Sequence, residues 1–299
     1  MTSRSKDARI VRRVLVPMDV SSEAKAGLLF AARLARALES RLEGLFIEDQ
    51  DLMSLAGLPF TRELSLTSGR PQSLDLDRLE RDFRAKAAAA QRLLAEVAQA
   101  EKIPSSFRTA RGKTELEITS AVQEGDLVAV GRALGAVVGR GAQGGAIRAA
   151  SRRPAGSILF TGHRPSVRPL AVEAVVKGTA SCEAALGLAE RLAKALKVPL
   201  GVHVADAAGG QDLENRIRAA LSEPALVRHH ATATAESLIA ALCGRAGRLV
   251  VSAAAALQHE HETIERVAAG IASPLILVRS ETGDGSAPEE TPSQDGQPA

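Results

Sequence analysis

The chain repeats itself. Residues 31–38 read AARLARAL and residues 189–196 read AERLAKAL. SSEA at 21–24 is echoed by SCEA at 181–184, and AVQEGDLVAV (121–130) by ALCGRAGRLVV (241–251). Three matches in the same order imply a duplicated domain, and any fold proposed for the chain must accommodate two copies of one unit. The 299 residues suffice for two domains of about 150 residues, near the commonest domain size. The expected division is 1–163, then 164–280, then an acidic tail over 281–299 that is low in hydrophobicity and expected to be disordered.

Within the first copy, short β-branched runs alternate with helical spacing. RVLVPMD (13–19), LEGLFIE (42–48), SFRTAR (106–111), DLVAVG (126–131) and GSILFTG (156–162) read as strands. Asp19, Ser21 and Ser22 supply N-cap oxygens for a helix to about Leu38. Further helices are expected over about 74–100, 114–125 and 145–152. The second copy repeats the order, with strands near 172–177, 200–205, 225–231, 248–252 and 274–279. Strands alternating with helices give parallel βαβ units. The fold class expected is therefore α/β, as two tandem five-stranded parallel sheets flanked by helices. Residues 49–73 break the pattern as an insertion between the second strand and its helix, either a lid or partner surface or a segment covering the sheet edge.

Composition narrows the function classes. There are six Phe, no Tyr and no Trp, so Ala, Leu and Val must fill the cores and no stacking platform for single-stranded nucleic acid exists. All six Phe fall in the first copy and all six His in the second half, from His163 onward. The tail holds five of the 35 acidic residues and none of the 38 basic ones, so the body is basic without a concentrated patch. Two cysteines, Cys182 and Cys243, make no disulfide framework and no zinc spacing, which suits a cytoplasmic protein. No apolar run reaches the length of a membrane span. HEHE at 259–262 places its histidines at i and i+2, off a common helix face, and is read as a loop without a metal. No nucleophile–base arrangement or carboxylate pair is found, so no catalytic residue is assigned and the protein is not expected to be an enzyme.

The candidate site is the run GRALGAVVGRGAQGG (131–145), with six glycines in fifteen residues. Glycine at that density permits close backbone approach, often to a phosphate. GKT at 112–114 fails as a P-loop because Phe107 stands where the first glycine belongs. Gly139, Gly141 and Gly144 spell G-x-G-x-x-G, but eight residues beyond the strand end and with no acidic residue between Ser151 and Ala171. The strand VLVPMD followed by SSEA, the strand LVAVG with its glycine loop, and the closing ERVAAGIASPLILV (265–278) together resemble the universal stress protein family, in two tandem copies. That resemblance implies an adenine nucleotide alpha-hydrolase-like, Rossmann-like fold. It also implies ATP, with Mg²⁺, bound by the acidic residue after the first strand and by a loop of the form G-x2-G-x9-G-(S/T).

Carried onto this chain, the nucleotide-binding residues are Pro17, Asp19, Gly131, Arg132, Gly135, Gly141, Gly144 and Gly145. The loop departs from the family form. Counting from Gly131 puts Leu134 at the second glycine and Gly145 at the hydroxyl position, and counting from Gly135 ends on Ala146. Losing one hydroxyl bond to a charged oxygen costs at most about 3 kcal/mol, and Arg132 and Arg140 offer charge-assisted replacements. Two readings stand: a weakened phosphate cradle, or a compact crossing that holds nothing. In the second copy the counterpart of Asp19 is Lys177 or Thr179, and no glycine lies between Ser252 and Val267, so no nucleotide is expected there. The resemblance further implies that the copies pair with each other through their last strands, or that the chain forms a homodimer. The partners expected are an adenine nucleotide and an unidentified protein, with no membrane and no nucleic acid.

Overall fold

The computed structural model describes residues 11–18, 22–56, 58, 62–64, 71–73, 76–130, 156–161, 169–178, 182–205, 210–223, 225–257 and 272–279. In the first half, β1 (Arg13–Met18), α1 (Ser22–Ala37), β2 (Arg41–Asp49), α2 (Gln50–Ala56), β3 (Arg62–Leu64) and β4 (Pro71–Ser73) come first. They are followed by α3 (Leu76–Glu101), β5 (Ser105–Gly112), α4 (Thr114–Ala121), β6 (Asp126–Val130) and β7 (Gly156–Phe160). The second half runs β8 (Ala171–Val176), α5 (Cys182–Leu196), β9 (Leu200–Ala205), α6 (Gly210–Ala220), β10 (Leu226–His230), α7 (Ala235–Cys243), β11 (Arg248–Ala253) and β12 (Leu275–Val278). The expected helix at 145–152, the glycine loop, HEHE and the acidic tail lie outside the described residues.

The main strands form one ten-stranded sheet in the order β10-β9-β8-β11-β12-β7-β6-β1-β2-β5. Each half is parallel throughout and has the same internal order, with its first strand central. The halves meet where β12 runs antiparallel to β7, with Ile276 opposite Leu159. Nearly every residue of β1, β6, β7, β11 and β12 is buried, as expected of strands covered on both faces. On one face, α1 and α5 turn Leu28, Ala31, Leu34, Ala35, Leu186 and Ala189 into a core that continues across both halves. On the other, α4 and α7 cover a second core.

The α3 helix is 26 residues long, and its buried positions Phe83, Ala90, Leu94, Val97 and Ala98 form one stripe. It presses so closely on β2 that a Cβ at Gly44 would stand 2.7 Å from Met18 Sδ and 2.9 Å from Leu94 Cδ2. The insertion has structure of its own. Asp49 Oδ1 accepts from the backbone N–H of Asp51 at 2.9 Å and caps α2, which packs on α3 and on edge strand β5. Beyond it, β3 and β4 make a small antiparallel hairpin.

Helices α1, α3 and α5 all end on a left-handed residue, Glu39 (φ 53°), Lys102 (φ 56°) and Lys197 (φ 55°). The next N–H reaches back five residues, from Ile103 to Ala98 at 3.0 Å and from Val198 to Ala193 at 3.0 Å. Such ends favour glycine. Lys102→Gly is expected to raise stability by up to about 1 kcal/mol, seen as a higher denaturant midpoint at unchanged slope; a lower midpoint would show that the lysine side chain matters more than its backbone.

Each half bolts its first strand to its fourth with an ion pair to a buried carboxylate. In the first, Arg13 Nε donates to Asp126 Oδ1 at 2.9 Å, Nη1 to Glu43 Oε2 at 2.9 Å and Nη2 to the Ala121 carbonyl at 2.9 Å. Asp126 also accepts from the Gln123 N–H at 2.7 Å. The bond to Asp126 holds Arg13 above the usual arginine range although burial opposes it. In the second half, Arg248 on β11 pairs with Glu173 on β8. The polarity is reversed: the cation sits on the first strand in one half and on the fourth in the other.

Candidate functional site

Strand order fixes where a ligand can sit. From β1 the chain moves outward to β2 and β5 on one side and to β6 and β7 on the other, so the order reverses between β1 and β6. Open α/β sheets bind ligands beyond the carboxyl ends of strands at such a reversal. Here β1 and β6 are in register from Arg13–Asp126 to Leu15–Val128, and they end close together at Met18 and Val130. Asp19 follows Met18 and Gly131 follows Val130 in the sequence. Pro17 is buried near the end of β1, opposite Leu45. Asp19, Gly131, Arg132, Gly135, Gly141, Gly144 and Gly145 lie outside the described residues, so the structure brings together their points of attachment.

The second half has a different end. The ladder pairs Ala171 with Arg248 as it pairs Arg13 with Asp126. Asp19 therefore corresponds to Lys177, which decides between the two alignments. After β11 the backbone makes a 3₁₀ turn over Ala254–Ala256, with Ala254 and Ala256 buried in the second core.

A polar chain crosses the second half that the residue patterns did not reveal. Glu173 Oε2 lies 3.0 Å from His203 Nε2, and His203 Nδ1 lies 3.0 Å from His230 Nε2. The two imidazoles stack with centroids 5.2 Å apart. A lone histidine in LGVHVAD looks like an ordinary strand residue. The available signal is the repeat itself, because the same register places Leu15, Leu45 and Ala110 at these positions in the first half.

Other polar groups are structural. Where α1 and α5 converge, a cavity of about 450 Å³ is lined in part by Arg33, Arg36, Glu101 and Lys197. Arg33 Nε donates to the buried Glu101 carboxylate at 3.0 Å and Arg36 forms an ion pair with it at 2.6 Å, which ties down helix ends. Cys182 begins α5, yet burial raises its thiol pKa, and burial pushes Cys243 up to about 12. Among the described residues no group of three or more His, Cys, Asp or Glu could hold a metal ion, and no helix is long and apolar enough to cross a membrane.

The strand order and the helices on both faces define an open α/β protein of doubled plan. No known family model matches the sequence, and no curated protein does. Among solved structures, the chain is similar to a universal stress protein from Archaeoglobus fulgidus DSM 4304, with TM-score 0.62 at 14% identity over 89% of this chain and 96% of that one. A functionally unknown protein from Pseudomonas aeruginosa PAO1 follows at TM-score 0.53 and 15% identity, covering 90% of this chain and 93% of that one. A candidate universal stress protein from Pseudomonas aeruginosa UCBPP-PA14 has TM-score 0.51 at 14% identity, over 90% and 94%. The fold is that of the universal stress proteins.

Proposed function

We propose that the chain is a tandem universal stress protein whose first domain, residues 1–163, binds ATP as a regulatory ligand, while residues 164–280 serve as its scaffold. The observation that carries this reading is the joint ending of β1 and β6 at the strand-order reversal, directly before Asp19 and Gly131. Asp19 would bond the ribose side, and the backbone from Gly131 to Gly145, with Arg132, would face the phosphates. In the second half a lysine replaces the aspartate and buried alanine methyls occupy the turn after the fourth strand. The function is binding that signals; no residue is assigned a catalytic role.

Calorimetric titration with ATP and magnesium, with GTP and AMP for comparison, tests it. Saturation at about one nucleotide per chain is expected, with about 2.7 kcal/mol of added stability at a hundredfold excess over Kd. Asp19→Ala and Gly144→Val should each reduce both. No heat and no change in Tm at about millimolar ATP would overturn the nucleotide reading. A second reading, a docking module, is favoured by the apolar side chains that the insertion exposes: Leu52, Leu55 and Leu58 are 38%, 49% and 54% exposed. Substituting all three by serine should leave ATP binding intact and abolish association with a partner.

A further inference from the structure

In the first half the sheet face beneath α4 is apolar where Leu15 and Leu45 lie fully buried. The second half puts Glu173, His203 and His230 at the matching places and buries the first two almost as deeply, at 4% and 6% exposure. Burying such groups is costly unless every one is bonded, and here they are bonded in series. Gly201 stands opposite Glu173 in the ladder, and a Cβ there would collide with the carboxylate. The space is shaped for the acid.

The partners assign the tautomers. Glu173, already paired with Arg248, is the acceptor, so His203 Nε2 carries the proton. His203 Nδ1 must then accept, and His230 Nε2–H donates to it. Among the described residues, the lone pair of His230 Nδ1 is the open end of the chain. His230 is half-buried on β10, which forms one edge of the sheet and pairs with β9.

We propose that Glu173, His203 and His230 form a proton-operated latch that holds edge strand β10 to the sheet and lets it go when both imidazoles are charged. The first proton from solvent binds His230 Nδ1 while the Nε2 proton passes to His203 Nδ1. That leaves His203 as an imidazolium between Glu173 and a neutral His230, with every bond kept. A second proton charges His230 at Nε2 and sets two N–H donors and two like charges face to face. The histidine–histidine bond then breaks.

The surroundings set the range in which this happens. Arg248 on β11, Arg228 on β10 and Arg245 after α7 are the cations around the chain, and Glu173 is its buried anion; β10 also carries His229, and α7 carries Glu236 and Cys243, as titratable groups. Burial and then Arg228 and Arg245 lower His203. Burial, His203, Arg228 and His229 lower His230. A depressed histidine leaves the unfolded state holding more protons, so the latch contributes fully above the ordinary value of 6.5 and is lost as pH falls from there through the lowered values.

Hydrogen exchange read strand by strand tests the latch in the full chain. Between about pH 7.5 and pH 5.5, after correction for intrinsic rates, β10 amides should lose protection severalfold, while those of the opposite edge strand β5 should not. In H203L/H230A, which restores the residues of the first half, the β10 loss should vanish. Ring-proton titration of the unsubstituted chain should show two coupled steps below 6.5, with both His203 and His230 responding to each. Equal acid response of β10 and β5, an unchanged response in H203L/H230A, or two imidazoles titrating independently would overturn the proposal.

Discussion

Arg13→Met is expected to lower the unfolding free energy by about 3–5 kcal/mol and the Tm by about 10 °C. The guanidinium is 6% exposed and serves two carboxylates, those of Asp126 and Glu43, which are 3% and 12% exposed. Removing it leaves Asp126 buried with the Gln123 N–H and, among the described residues, no counter-charge. The loss comes from an uncompensated charge more than from a missing attraction, and this can be separated experimentally. R13M/D126L/E43L, with all three groups made apolar, should recover most of the stability that Arg13→Met loses. The control is Arg111→Met, which breaks an ion pair to Glu48 from a side chain that is 56% exposed; its effect should stay within about 0.5 kcal/mol. A triple variant as unstable as Arg13→Met would show that the ion cluster is itself stabilising.

The next largest effect belongs to the seam between the halves. Leu159 and Ile276 face each other across the antiparallel β7–β12 ladder, both fully buried in the core that spans the two halves. Each change to alanine is expected to cost about 2–5 kcal/mol, as transfer energy plus cavity. The pair shares one cavity, so the double variant should depart from additivity by about 0.5–3 kcal/mol. Calorimetry of the double variant should divide one transition into two, because its halves are then joined less firmly than each is folded. Additive losses and a single transition would mean that the seam packs through other residues.

The strands were legible because buried parallel strands declare themselves: LVAV and LILV have few other uses in so polar a neighbourhood. The long α3 was legible from its stripe, and α1 and α5 from the repeated AARLARAL motif. Helix α2 was not. Seven residues are too few for periodicity, and the one local signal was Asp49 as a cap. The histidine chain was hidden for a different reason, since a strand pattern treats one polar residue on a buried face as noise, and only laying His203 over Leu45 exposes it. The candidate nucleotide residues were legible as chemistry, through glycine density and an aspartate at a strand end. Their placement depends on β1 and β6 becoming neighbours, which 107 intervening residues and a shared register decide.

The opposite polarity of the two bolts has a consequence for how such a chain reaches its fold. Two halves of one plan offer each first strand two fourth strands to choose from, and the wrong choice would thread one half through the other. An exchanged arrangement would set Arg13 against the partly exposed Arg248 and the buried Glu173 near the buried Asp126, like charge against like, at a cost of several kcal/mol. Charges so placed would act as a lock and key for assembly, telling apart segments whose apolar patterns are alike. Arg13→Glu together with Asp126→Arg would give both halves the same key. Exchanged dimers on concentrated refolding, absent from the unsubstituted chain, are the product that would reveal the safeguard, and a purely monomeric product would refute it.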